Sequence, residues 1–152
     1  MFDSNMLVEF KGINTNYSPY INCFKEELIE DIIQINQIPP MQYIVKFSAT
    51  ITPSIDDFIK TPKGINCDGL KLTGIQALVR LILNFRVEYI TTENSLGLYT
   101  CKYLFNSYIA LPEYFENTHK VNTKSYIQHI DIRNLDNSRF YFNLLCLNTL
   151  EF

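Results

Sequence analysis

The segment from Val79 to Ile90 constrains this chain most. Val79, Leu81, Leu83, Phe85, Val87 and Tyr89 are apolar, and Arg80, Asn84, Arg86 and Glu88 between them are polar. A period of two over this length specifies a β-strand with one face on a core; a helix would scatter the same six side chains around its axis. The pattern recurs. Phe47, Ala49 and Ile51 alternate with Lys46, Ser48, Thr50 and Thr52, and Tyr99, Cys101, Tyr103, Phe105, Ile109 and Leu111 share one parity before Pro112. Ile130 and Ile132 alternate with His129, Asp131 and Arg133, while Phe140, Phe142, Leu144 and Cys146 oppose Tyr141 and Asn143. Between these last two runs, Asn134-Leu135-Asp136-Asn137-Ser138 is rich in turn formers and reads as a hairpin connection.

Two stretches read differently. Phe24, Leu28 and Ile32 are spaced four apart, as are Lys25, Ile29 and Ile33, which is helix spacing. Pro39-Pro40 blocks continuation, and Pro40 suits the first position of a short helical turn over Pro40–Ile44. Residues 1–20 carry weak patterning and are expected to form an arm or an edge strand. Residues 21–152 make up the β domain. The expected architecture is mainly β, a single antiparallel sandwich-like domain with room for one short helix. A length of 152 residues with 47% apolar content supports one core of this kind.

Composition excludes several functions. A net charge of −3 argues against a nucleic-acid binder, which needs clustered Lys and Arg to displace counterions from phosphates. No apolar run approaches the ~20 residues that cross a bilayer. The start of the chain, MFDSNMLVEFKG, lacks a basic segment followed by an apolar one, so no signal peptide is expected. Gly64 to Gly69 followed by Leu70-Lys71 misses the phosphate-loop pattern, because Leu70 stands where the lysine should be and Leu72 where Ser or Thr should bind magnesium. His119 and His129 lie outside any HExxH pattern, and no GxSxG elbow is present. The acidic pairs Glu26-Glu27, Glu30-Asp31 and Asp56-Asp57 are adjacent, so on a strand their members point to opposite faces. No catalytic residues, metal or cofactor are expected.

The four cysteines, Cys23, Cys67, Cys101 and Cys146, form no CxxC pair. Cys101 and Cys146 lie on apolar parity and are expected to be buried thiols. Cys67 sits in a polar, glycine-flanked stretch, and Cys23 follows the weakly patterned start; these two are the candidates for intersubunit disulfides at an oxidising surface. The alternative is four reduced thiols. Of the tyrosines, Tyr89, Tyr99 and Tyr103 fall on core parity. Tyr17, Tyr20, Tyr108, Tyr114 and Tyr141 do not, and form a candidate contact surface for protein or, alternatively, glycan.

Several separated blocks resemble one known family. Thr61-Pro62-Lys63-Gly64, then Gly69, then Lys71-Leu72-Thr73-Gly74, lead into a strand ending Val87-Glu88-Tyr89; Phe105-Asn106-Ser107-Tyr108-Ile109-Ala110-Leu111-Pro112 follows. In order and spacing they are similar to "TPKG…G.KLTG", a strand ending "IEY", and "PFSTFIVLP" of the SPOCS domain, found in spore-coat morphogenetic proteins of clostridia and their relatives. Gln37 to Ile44 is similar to the family's "EQKPDIEEIL", and Tyr126-Ile127 with Ile130-Asp131-Ile132 resembles its ending. The resemblance covers about residues 24–150. The family's "SVHAA" is not matched at Ser95–Tyr99, and Leu104 replaces a proline. The resemblance favours a strand over Cys23–Gln34, and its glycines imply turns or positive φ, with Pro62 and Pro112 ending strands. It implies a non-enzymatic structural protein of the spore coat or exosporium, self-assembling or docking on a coat scaffold, with itself or other coat proteins as partners. Such a protein would be made in the mother-cell cytoplasm and deposited on the spore surface. A glycan-binding β-sandwich module is the alternative.

Overall fold

The structure is a computed structural model that describes residues 8–116 and 120–152; His119 lies outside them. Seven strands follow in order: β1 (Glu9–Lys11), β2 (Cys23–Gln34), β3 (Met41–Ile65), β4 (Lys71–Thr91), β5 (Leu96–Ala110), β6 (Asn122–Asn134) and β7 (Arg139–Glu151). They form a large sheet in the order β1-β3-β4-β5 and a small sheet in the order β2-β7-β6. All pairings are antiparallel except β1 with β3. The two sheets pack face to face, with β3 over β6 and β5 over β2, which makes the domain a β-sandwich.

The period-two runs become the inward faces. Val79, Leu81, Leu83 and Val87 of β4 are fully buried, as are Phe140, Phe142, Leu144 and Cys146 of β7. Phe47 stacks on Phe85 at 5.3 Å and on Phe142 at 6.1 Å, while Phe140 meets Phe47 and Phe85 edge-on. Each such side chain contributes roughly 1.5–3 kcal/mol of transfer free energy. Phe105 and Cys101 are only half-buried, because β5 is an edge strand of the large sheet.

No described residue is helical. Pro40 does not open a helical turn: the next residue already begins β3, and the Met41 N–H donates to the Asn137 carbonyl at 3.0 Å. Cys23–Gln34 is a strand paired along its length with β7. A spacing of four is even, so it also keeps side chains on one face of a strand, and the β-branched Ile29, Ile32 and Ile33 suit that conformation. Pro62 does not end a strand either. It lies inside β3 at a register shift between Lys60 and Lys63, where Thr61 and Pro62 oppose Gly74. At a bulge the missing N–H costs no ladder bond, and the positive φ of Gly74, 107°, accommodates the extra residue.

The start of the described chain stitches one side of the sandwich. β1 pairs with β3, then Ile13 bridges to Ile127 of β6, with the Asn14 N–H donating to the Ile127 carbonyl at 2.9 Å. Gly12 makes the crossing possible: a Cβ there would stand 2.0 Å from the Ala49 carbonyl oxygen. On the opposite side, β2 and β5 are joined by side chains. The Tyr103 hydroxyl donates to Asp31 at 2.6 Å and the Ser107 hydroxyl to Glu27 at 2.8 Å, with Lys25 3.2 Å from Glu27.

The β3–β4 hairpin outruns the sandwich. Its 25-residue strand spans roughly 80 Å of contour, against about 43 Å for the 13-residue strands of the small sheet. β5 accompanies β4 only as far as Gln76. Beyond that, Thr61–Gly74 is a two-stranded ribbon without a single buried residue.

Candidate functional site

Two surfaces stand out, one on the small sheet and one on the ribbon. Phe24, Glu26, Leu28, Glu30 and Ile32 are the outward side chains of β2, the edge strand. Phe24 is 62% exposed, Leu28 60% and Ile32 52%. Across the ladder, Leu28 opposes Leu145, Ile32 opposes Tyr141 and Glu26 opposes Leu147, which widens the apolar stripe onto β7. Glu30 accepts the Tyr141 hydroxyl at 2.7 Å. That bond to a carboxylate raises the Tyr141 hydroxyl above the ordinary tyrosine range.

At one end of this face the segment from Ile13 to Asn22 crosses the small sheet from β6 to the start of β2. The Tyr17 ring meets Tyr126 edge-on at 5.1 Å, Gln128 donates to the Tyr17 hydroxyl at 2.9 Å, and the Ser18 N–H donates to the Tyr126 hydroxyl at 3.1 Å. A depression of about 480 Å³ remains, lined by Tyr17, Pro19, Ile21, Phe24, Glu26 and Leu147 among others. Its walls are mostly apolar, with one carboxylate.

The ribbon carries the opposite charge. Cross-strand pairing places Lys60 opposite Ile75, Lys63 opposite Thr73, and Ile65 opposite Lys71. Lys63, Ile65 and Lys71 therefore share a face. Ile65 is 76% exposed. At the tip, the Asn66 side-chain carbonyl accepts the N–H groups of Asp68 and Leu70, each at 3.0 Å, and organises the turn. Among the described residues none of Lys60, Lys63 and Lys71 stands in an ion pair.

The expected contact tyrosines do not form one patch. Tyr17 and Tyr141 lie on the outward side of the small sheet, whereas Tyr108 opposes Leu78 on the large sheet. Tyr114 sits in the β5–β6 connection with its ring 6.1 Å from Phe152, and Tyr20 is exposed in the segment before β2. Sequence parity missed Phe24, Leu28 and Ile32 as a surface, although their equal spacing was the available signal.

The cysteines separate by burial. Cys67 is exposed in the ribbon turn, and Cys23 is half-buried at the start of β2, where burial pushes its thiol up to about 11. A thiol held that high supplies little thiolate for disulfide exchange at neutral pH. Cys146 is buried, and burial pushes it up to about 12. Burial, with the bond to Asp31, also raises Tyr103.

The outward side of the large sheet holds a shallow depression of about 460 Å³, lined by Ser48, Thr50, Asn84, Arg86, Thr100 and Lys102 among others. Among the described residues no three His, Cys, Asp or Glu side chains are placed to hold a metal ion. No helix among them is long and apolar enough to cross a membrane. No family model, curated protein or solved structure matches the chain.

Proposed function

We propose that this chain is a non-enzymatic structural module of a bacterial spore coat or exosporium, which assembles with itself or docks on a coat scaffold through protein–protein contacts. The observation that carries the contact role is the row Phe24, Leu28 and Ile32, three large apolar side chains more than half exposed on an edge strand. Isolated exposed apolar residues are ordinary, but three on one strand face, alternating with Glu26 and Glu30 and continued by Leu145 onto the next strand, make the kind of surface that protein partners cover. The coat assignment rests on the residue blocks from Thr61 to Pro112 that resemble the SPOCS domain.

Sedimentation velocity and negative-stain electron microscopy of the purified protein test the contact role. Multimers growing with concentration are expected, and a monomer at every concentration that also ignores coat extracts overturns it. A fluorescent fusion in a sporulating clostridial host tests the location: signal on the spore surface is expected, and diffuse mother-cell signal is the contrary result. The second reading, a glycan-binding module, draws on the depression with its three hydroxyls, one amide and two cations, which suits an anionic saccharide. A glycan array read with Arg86→Ala as control decides it.

A further inference from the structure

We infer that the contact is head-to-tail: the Thr61–Gly74 ribbon of one copy lies on the outward β2–β7 face of the next. The inference rests on the assembly reading above and specifies its geometry.

Charge is the first argument. The ribbon and its base offer Lys60, Lys63 and Lys71 against one carboxylate, Asp68. The outward side of β2 offers Glu26 and Glu30 and no cation. Spacing is the second. Lys60 is at the level of Ile75 on β4, so Lys60 and Lys71 stand four residue steps apart along the ribbon. Glu26 and Glu30 are also four steps apart on one strand. At about 3.3 Å per residue both separations are roughly 13 Å, so the two outer lysines reach both glutamates in one register.

Apolar matching is the third. The ribbon's Ile65, which shares a face with Lys63 and Lys71, is exposed and meets a stripe built of Phe24, Leu28 and Ile32. The depression walled by Tyr17, Phe24 and Leu147 gives one apolar side chain of the ribbon a seat. The ribbon lacks what a two-stranded segment needs for independent stability, a third strand or a packed face. The neighbouring copy supplies that face. The two surfaces are different, so the contact is heterologous and each copy keeps one free end of each kind. Repetition then gives a filament or, with side contacts, a lattice.

A charge-swap experiment on the full chain tests this. The ribbon variant carries Lys60→Glu, Lys63→Glu and Lys71→Glu; the face variant carries Glu26→Lys and Glu30→Lys. All five positions are exposed, and circular dichroism confirms folding. Each variant alone should need a concentration at least about tenfold higher than the parent to assemble, because like charges then meet. An equimolar mixture should recover assembly, since each variant's ribbon meets an oppositely charged face. A single chain carrying all five changes should recover it too. If the ribbon variant assembles like the parent, or if mixing fails to restore assembly, the head-to-tail contact is wrong while the assembly reading stands. A symmetric pairing of β2 edges would respond to the face variant only. A parent that stays monomeric at every concentration removes the assembly reading and this inference together.

Discussion

Two hairpins of this chain, β6–β7 and β3–β4, share their local chemistry and end differently. In β6–β7, Asp136 closes the turn: its carboxylate accepts the N–H groups of Ser138 and Arg139 at 2.9 and 2.8 Å. In β3–β4, Asn66 performs the same office for Asp68 and Leu70. The first hairpin stops where the core stops, with Phe140 already fully buried beside the turn. The second continues past the core as a bare ribbon. Turn chemistry therefore sets where a hairpin reverses, and burial sets how much of it is held. Past its core this hairpin continues on its ladder bonds and, at its root, on the Thr73 hydroxyl, which donates to the Leu111 carbonyl.

The largest expected effects lie where both hairpins share the core. Leu83→Ala on one and Phe142→Ala on the other should each destabilise by about 2–5 kcal/mol in urea unfolding, since each leaves a cavity at a fully buried site. A loss under 1 kcal/mol at either site would break the symmetry claimed for the two roots. Next comes Gly97→Ala. The glycine lies across the ladder from Tyr89, and an added Cβ would stand 2.2 Å from that ring. We expect a cost of about 1–3 kcal/mol from displacing the tyrosine, read as a lower unfolding midpoint.

Changes on the outer hairpin should hardly register in the folded monomer. Ile65→Ala in the ribbon should fall within about 0.5 kcal/mol of the parent. Arg80→Ala, whose partner Asp56 is exposed at 3.2 Å, should cost under about 1 kcal/mol. Amide exchange should be faster across Thr61–Gly74 than across Val79–Val87; equal protection would mean that the ribbon is held by something besides its ladder.

The smallest effect sharpens the turn comparison by pH. The backbone bond from Ser138, then the bond from Arg139, hold Asp136 down to about 2. An unfolded aspartate titrates near 3.9. Because the folded value is the lower one, this stabilisation is present above about pH 4 and is lost as pH falls through about 2. Asp136→Asn should flatten the acid limb of the stability curve across that window, by a small amount because the carboxylate is at the surface and screened. Asn66→Asp should introduce a similar limb into the other hairpin. An unchanged acid limb in both variants would refute the electrostatic account of these turns.

Much of the sandwich was legible. The period-two runs of β4, β5, β6 and β7 gave the inward faces, because a buried sheet face imposes alternation on its residues. The length of β3 was not legible, and the reason is physical. From Pro53 to Ile65 the strand reads Pro, Ser, Asp, Asp, Lys, Pro and Lys among scattered apolar residues; near the end of the core and beyond it, nothing demands alternation. The β2 stripe was visible as a spacing of four but fits both periods, and only pairing with β7 separates them. Parity also identified five non-core tyrosines without telling which sheet each belongs to, so their dispersal needed the topology. By sequence Cys23 follows a weakly patterned arm, whereas the start of β2 tucks it against the core residues grouped around Val79, Leu81, Ile109 and Leu150.

The pairing of β2 with β7 also shapes how the molecule is made. Cys23 finds its ladder partner at Leu150 and Gln34 finds its own at Arg139, so a strand delivered early by the ribosome waits more than a hundred residues for its mate. Ile13 waits similarly for its bridge to Ile127 of β6, whereas β1 meets β3 much sooner, Glu9 pairing with Lys46. Loop closure over such distances precedes any reward from contact, which places this topology among slow folders with high contact order. The β3–β4–β5 meander has sequence neighbours for partners and can form during the wait. During synthesis the acidic pair Glu26 and Glu30 then has a second use: two like charges interrupting Phe24, Leu28 and Ile32 keep an unpaired strand from joining another nascent chain.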